Sequence, residues 1–134
     1  MVRAPRLTDG PPTGHTRVSL DAPILDGGSL RRAAKSSAAY AAAKCGAIAF
    51  SLHLASEFAK DGIRVNCLTP SAIENDRMRS WVPQEQRKDL AAASPLGRLG
   101  QPEDVAAATL LLASSTSSWI TGVTLDIAGG KVML

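Results

Sequence analysis

From Ser36 or Ser37 to about Lys60 the chain keeps a helical rhythm of apolar positions. Ile48, Leu52, Ala55 and Ala59 form one stripe, and Phe50, Leu54 and Phe58 form another. An apolar surface this wide suits a helix covered on two sides. One side has a sheet to meet. The other meets either a partner helix or the same broad core. A serine caps the start and Asp61-Gly62 supplies the stop. Ile63 to Thr69 then reads as a strand, ended by Pro70, which cannot donate to a ladder. Residues 71–82 read as a loop. Pro83 to about Ala93 reads as a short polar helix. A further helix opens at Pro102, with Glu103 and Asp104 in its first turn. It runs to about Ser114 with Val105, Thr109 and Leu112 on one face. Val123 to Ile127 alternates as a last strand. Helix, strand, helix, strand is the order of a parallel α/β layer.

Residues 1–28 interrupt this pattern. They hold four Pro and four Gly with no sustained periodicity, and they read as irregular. Residues 29–134 form the patterned unit. At 134 residues the chain is one domain in length, enough to bury something over ~65% of its unfolded surface.

The net charge is +3 and uneven: residues 1–35 carry six basic and three acidic side chains, the remainder nine of each. No aromatic residue precedes Tyr40, so the basic segment lacks the stacking groups of a nucleic-acid surface. Cys45 and Cys67 do not form a Cys-x-x-Cys pair and read as free, buried thiols. His15 and His53 have no partners at metal-ligand spacing, and no metal is expected. No apolar run is read as long enough for a signal peptide or a membrane span. The expectation is a cytoplasmic protein that binds neither nucleic acid nor membrane.

The chemistry centres on Tyr40 and Lys44, four apart on one helical face. A phenol titrates near pKa ~10, and a neighbouring cation favours its ionised form. That is the arrangement of a general acid/base. A half-buried Tyr beside a snorkelling Lys has the same spacing, so context has to decide.

The context is Ala38-Ala39-Tyr40-Ala41-Ala42-Ala43-Lys44, then Asp61-Gly62-Ile63-Arg64-Val65-Asn66, then Pro70-Ser71-Ala72-Ile73-Glu74-Asn75-Asp76. Pro95-Leu96-Gly97-Arg98-Leu99-Gly100-Gln101-Pro102-Glu103-Asp104-Val105 follows. Ile120-Thr121-Gly122 and Leu125-Asp126-Ile127-Ala128-Gly129-Gly130 close the series. Over residues 36–130 the chain resembles the C-terminal half of a short-chain dehydrogenase/reductase of the 3-oxoacyl-carrier-protein-reductase-like kind.

The resemblance implies an α/β fold: the C-terminal half of a Rossmann-like, doubly wound parallel sheet, incomplete on its own. It implies NAD or NADP as cofactor and a small carbonyl or alcohol substrate. Tyr40 is then the acid/base, and Lys44 adjusts it and holds the cofactor ribose. Pro70, Ser71, Ile73 and Asn75 line the nicotinamide, after a strand's carboxyl end as in other open parallel sheets. Ser71 stands where the family commonly has glycine, and Asn75 where it has threonine. The helix of Tyr40 implies a homo-oligomer or pairing with a full-length relative. Residues 76–93 correspond to a variable substrate lid. Its Arg77 and Arg79, and Arg98 beyond it, are either anion contacts or solvated charge, and Trp81 is either a substrate cover or a lid anchor. Trp119 reads as core or interface.

Three family elements have no clear match. Gly27 occupies the place of the carbonyl-polarising serine, with Ser29 nearby. The catalytic asparagine has no counterpart. The glycine turn that seats a pyrophosphate on a helix N-terminus is missing, since Thr13-Gly14 is followed by Val18 and Leu20 where glycines belong. The chain is therefore expected to be a truncated reductase, weakly active or inactive alone. The alternative is a non-catalytic oligomerisation module or pseudo-enzyme fragment.

Overall fold

The computed structural model describes residues 16–19, as backbone, and 37–131. In chain order the elements are β1 (Thr16–Ser19), α1 (Ala38–Phe58), β2 (Arg64–Pro70), α2 (Asp76–Trp81), α3 (Gln84–Ala92), α4 (Pro102–Ala113) and β3 (Thr124–Ile127). Short 3-10 turns cover Ala59–Asp61 and Ser115–Ser117. The three strands make one parallel sheet in the order β1-β2-β3. Arg17 pairs with Val65, and Leu68 with Leu125.

β2 is the centre. It is paired on both edges and buried from Val65 to Pro70, as expected of a parallel strand covered on both faces. Leu68 and Cys67 are almost wholly shielded. The covers are α1 and α4, both packed against β2.

Four expectations change. β1 lies inside the segment read as irregular. Thr16–Ser19 carries no long apolar run, and it is pairing with Arg64–Cys67 that makes it a strand. Residues 71–82 contain α2, because Asn75 Oδ1 accepts a hydrogen bond from Met78 N at 2.8 Å and caps a helix too short to show periodicity. The span Ala38–Asp61, 24 residues with an 18-residue stretch of mean hydropathy 1.2, is long and apolar enough to cross a membrane by length and composition, contrary to the sequence reading. Its alanines supply the apolarity, and in this fold it packs on β2. The stripe that meets the sheet is also only partly the expected one, which included Ala55. Ser51 and Ala55 are buried, while Leu52 is 47% exposed. Small residues permit close approach, and Ser51 satisfies its hydroxyl on the Ala47 carbonyl at 2.9 Å.

Two motifs lock together beside β2. Asn66, 1% exposed, donates from Nδ2 to Ile120 O at 3.1 Å and accepts from Val123 N at 3.2 Å. Val65 N donates to Thr121 Oγ1 at 3.1 Å, and Gly122 N to Val65 O at 2.7 Å. Gly122 has φ +71°, in the left-handed region, and a side chain there would meet Ala55. Arg64 closes the end of α4: Nη2 donates to Leu112 O at 2.7 Å and Ser114 O at 3.1 Å, and Nη1 to Ile120 O at 2.8 Å. These carbonyls have no partner within the helix, and a cation suits that end.

Candidate functional site

Tyr40 and Lys44 stand in the first turns of α1. Ser37 caps the helix by accepting from Tyr40 N at 3.3 Å, so the serine signal in the sequence fixes where the Tyr–Lys face begins. Lys44 Nζ lies 5.8 Å from the centre of the Tyr40 ring. Tyr40 is 36% exposed, and Lys44 is half-buried. The structure therefore brings these two together on one accessible face.

The loop after β2 carries the other candidates. Ser71 is buried, and its N–H donates to Ile127 O at 3.1 Å, extending the β2–β3 pairing past the strand. Ile73 bridges Gly100, flanked by bonds from Gly100 N to Ala72 O at 3.0 Å and from Glu74 N to Gly100 O at 2.7 Å. A cavity of about 370 Å³ opens at the carboxyl ends of β2 and β3, with Ser71, Ala72, Arg98, Asp126 and Gly129 in its wall. Thr69, at the end of β2, donates its hydroxyl to the Asp126 carboxylate. Tyr40, Lys44, Pro70, Ile73 and Asn75 are not in that wall. Of the candidates, Ser71 alone reaches it.

The strand-end cavity offers polar groups, and the Asn75 amide NH2 can still donate while its oxygen caps α2. The residues read as the failed glycine turn (Thr13, Gly14) and the displaced serine (Gly27, Ser29) lie outside the described residues.

Charge around the loop is internally matched. Arg98 grips Asp104 through two bonds, Nη1 to Oδ2 at 2.7 Å and Nη2 to Oδ1 at 2.9 Å. Gln101 N also donates to Asp104 Oδ2, at 2.7 Å. The Arg98 bond first, and then this backbone bond, hold Asp104 down to about 2. Arg79 pairs with Glu74 and Asp76. Arg77 lies 4.8 Å over the Trp81 ring. The arginines that read as possible anion contacts thus have partners within the chain. Trp119 is 98% exposed, which removes the core reading and keeps the interface one. Cys67 is buried and Cys45 half-buried; both are free thiols.

Glu74 is the functional-looking residue that sequence reasoning missed. Gln101 Nε2 donates to its Oε2 at 3.2 Å, while Arg79 Nε and Arg87 Nη1 each donate to Oε1 at 3.4 Å. The Gln101 bond, ahead of the two arginines, keeps the carboxyl below its ordinary range. The partners are 5, 13 and 27 residues away, so no local spacing announces them.

Comparison with known proteins gives a consistent answer. A family model described as "Enoyl-(Acyl carrier protein) reductase" matches residues 25–131. The 3-oxoacyl-[acyl-carrier-protein] reductase of Chlamydia pneumoniae is 50% identical over 91 residues, covering 68% of this chain and 36% of that protein. The enzyme of the same description from Salmonella typhimurium is 46% identical over 95 residues, 71% of this chain and 38% of that protein. An uncharacterized short-chain type dehydrogenase/reductase of Sinorhizobium fredii is 42% identical over 94 residues, 70% and 37%. Among solved structures, a 3-oxoacyl-[acyl-carrier protein] reductase from Brucella melitensis superposes with a TM-score of 0.76 at 34% identity, over 89% of this chain and 42% of that one. The chain spans less than two fifths of the length of these curated relatives.

Proposed function

Because the chain belongs to the short-chain dehydrogenase/reductase family, we propose that it carries the acid/base part of an NAD(P)-dependent carbonyl reductase or alcohol dehydrogenase. The observation that carries this reading is the Tyr40–Lys44 face, capped at Ser37 and exposed at the start of α1. Tyr40 gives its phenolic proton to a carbonyl oxygen, or takes one from an alcohol. Lys44 would hold the cofactor ribose. Pro70, Ser71, Ile73 and Asn75 are the residues for the nicotinamide, which supplies hydride chemistry when bound. The reading includes a cytoplasmic location and no nucleic-acid or membrane partner.

A chimera tests it. Residues 36–131 replace the matching segment of the Chlamydia pneumoniae relative. The expected chimera oxidises NADPH or NADH against a 3-oxoacyl thioester, and Tyr40→Phe lowers kcat roughly 10²-fold or more. A folded, cofactor-binding chimera without turnover overturns the proposal. For the chain alone, calorimetric titration with each cofactor is expected to show weak binding or none, and micromolar affinity would contradict that part.

The second reading, a non-catalytic oligomerisation module, is favoured by apolar surface on both long helices: Phe50 is 62% exposed, Leu110 70% and Leu111 50%. Sedimentation alone and with a full-length relative tests it. A monodisperse folded monomer that ignores the relative counts against it.

A further inference from the structure

We infer that Glu74 is a latch that fixes the segment Asp76–Ala92, helices α2 and α3, against the N-terminus of α4. Glu74 sits on the loop that leaves β2, and its own N–H is bonded to Gly100 O at 2.7 Å. Its carboxylate therefore stands on the rigid side. Oε2 is held by Gln101, the residue that caps α4. Oε1 faces the segment and takes one donor from each helix: Arg79 of α2 and Arg87 of α3. Apart from the capping bond of Met78 N to Asn75 Oδ1 and the bond of Ser94 Oγ to Leu90 O, these two are the ones, among the ion pairs and side-chain hydrogen bonds of the described residues, that join α2 and α3 to anything beyond themselves.

The contacts are long. Both measure 3.4 Å, against about 2.7–2.9 Å for a well-made charge-assisted bond. Arg87 Nε is buried and has no partner. A buried donor left unmade is costly, and a guanidinium is built to meet a carboxylate through two parallel N–H groups. Between α3 and residues 97–101 lies an open cleft of about 310 Å³, with Glu74, Arg87 and Gln101 in its wall.

That the segment guards a substrate rests on the reductase reading above. The latch is read without substrate or cofactor, so the two fail separately.

Amide hydrogen exchange followed by mass spectrometry tests it on the full chain, with Glu74→Gln and Arg87→Met as the variants. Expected is three- to tenfold faster exchange in residues 76–92 for both, with β2 and α4 unchanged within twofold. A double variant should be no faster than the faster single one, because both remove the same contact. Unchanged exchange in 76–92 overturns the latch. So does an acceleration shared equally by β2 and α4, which marks a general structural role. Should Glu74→Gln fail to fold, Arg87→Met decides by the same criteria, since it leaves the Gln101 bond in place.

Discussion

Replacing Asn66 with alanine cuts the link between β2 and the turn that precedes β3. Its amide is 1% exposed and makes two bonds, to Ile120 O at 3.1 Å and from Val123 N at 3.2 Å. Alanine deletes both. Ile120 O keeps Arg64 Nη1 at 2.8 Å, so that acceptor is not stranded. Val123 N loses its partner. A net hydrogen bond is worth about 0.5–1.5 kcal/mol, and a stranded donor costs about 1–3. With the first loss at the low end and the second near the middle, the expected destabilisation is about 2–3 kcal/mol. With a urea m-value of roughly 1.5 kcal/mol/M, the midpoint falls by ~1.5 M. Far-UV circular dichroism in urea measures it. Asn66→Asp keeps the acceptor but turns a carboxylate oxygen toward Ile120 O, and should lose at least as much. A midpoint within ~0.3 M of the parent, at unchanged m, would refute the view that this amide pins the turn.

Other outcomes follow from the same contacts. Gly130→Ala should cost about 1–2 kcal/mol, because Gly130 has φ +81° and an added Cβ would lie 3.1 Å from two atoms of the Pro95 ring; thermal melting reads it. Asp104 is held at about 2, below its ordinary 3.8, so its contribution is full above pH ~4 and is lost as pH falls toward 2. Asp104→Asn should therefore lower stability by a constant amount at neutral pH and match the parent near pH 2; a gap that widens on acidification contradicts the assignment. Tyr40→Phe should leave the urea midpoint almost unchanged, since the side chain is 36% exposed. A large loss of stability would make Tyr40 a packing residue rather than a chemical one.

How much the sequence revealed depends on the range of the forces involved. The α1 cap at Ser37, the Asp61-Gly62 stop and the Pro102 helix start are local events, and all three appear where the residues put them. The Tyr40–Lys44 face follows from helical spacing alone. α2 was also written locally, in the Asn75 cap, but six residues are too few to carry a period. β1 was not legible, because a four-residue strand depends on its partner's backbone. The buried stripe of α1 was legible only in part: Ala55 is buried as its position implies, but side-chain apolarity favours Leu52, whereas close packing on β2 favours Ser51.

By itself, then, the sequence determined the family, the order of α1, β2, α4 and β3, and the pairing of phenol with ammonium. Each rests on contacts within a few residues or on motifs whose residues stand in order. Tertiary structure alone decided that Asn66 and Arg64 reach more than 45 residues ahead to Ile120 and Leu112, and that Ser71 meets a cavity while Tyr40 does not. It also decided that Glu74 gathers partners from three helical elements. Those facts depend on which strand ends and helix ends the parallel sheet brings together, and no spacing along the chain encodes that.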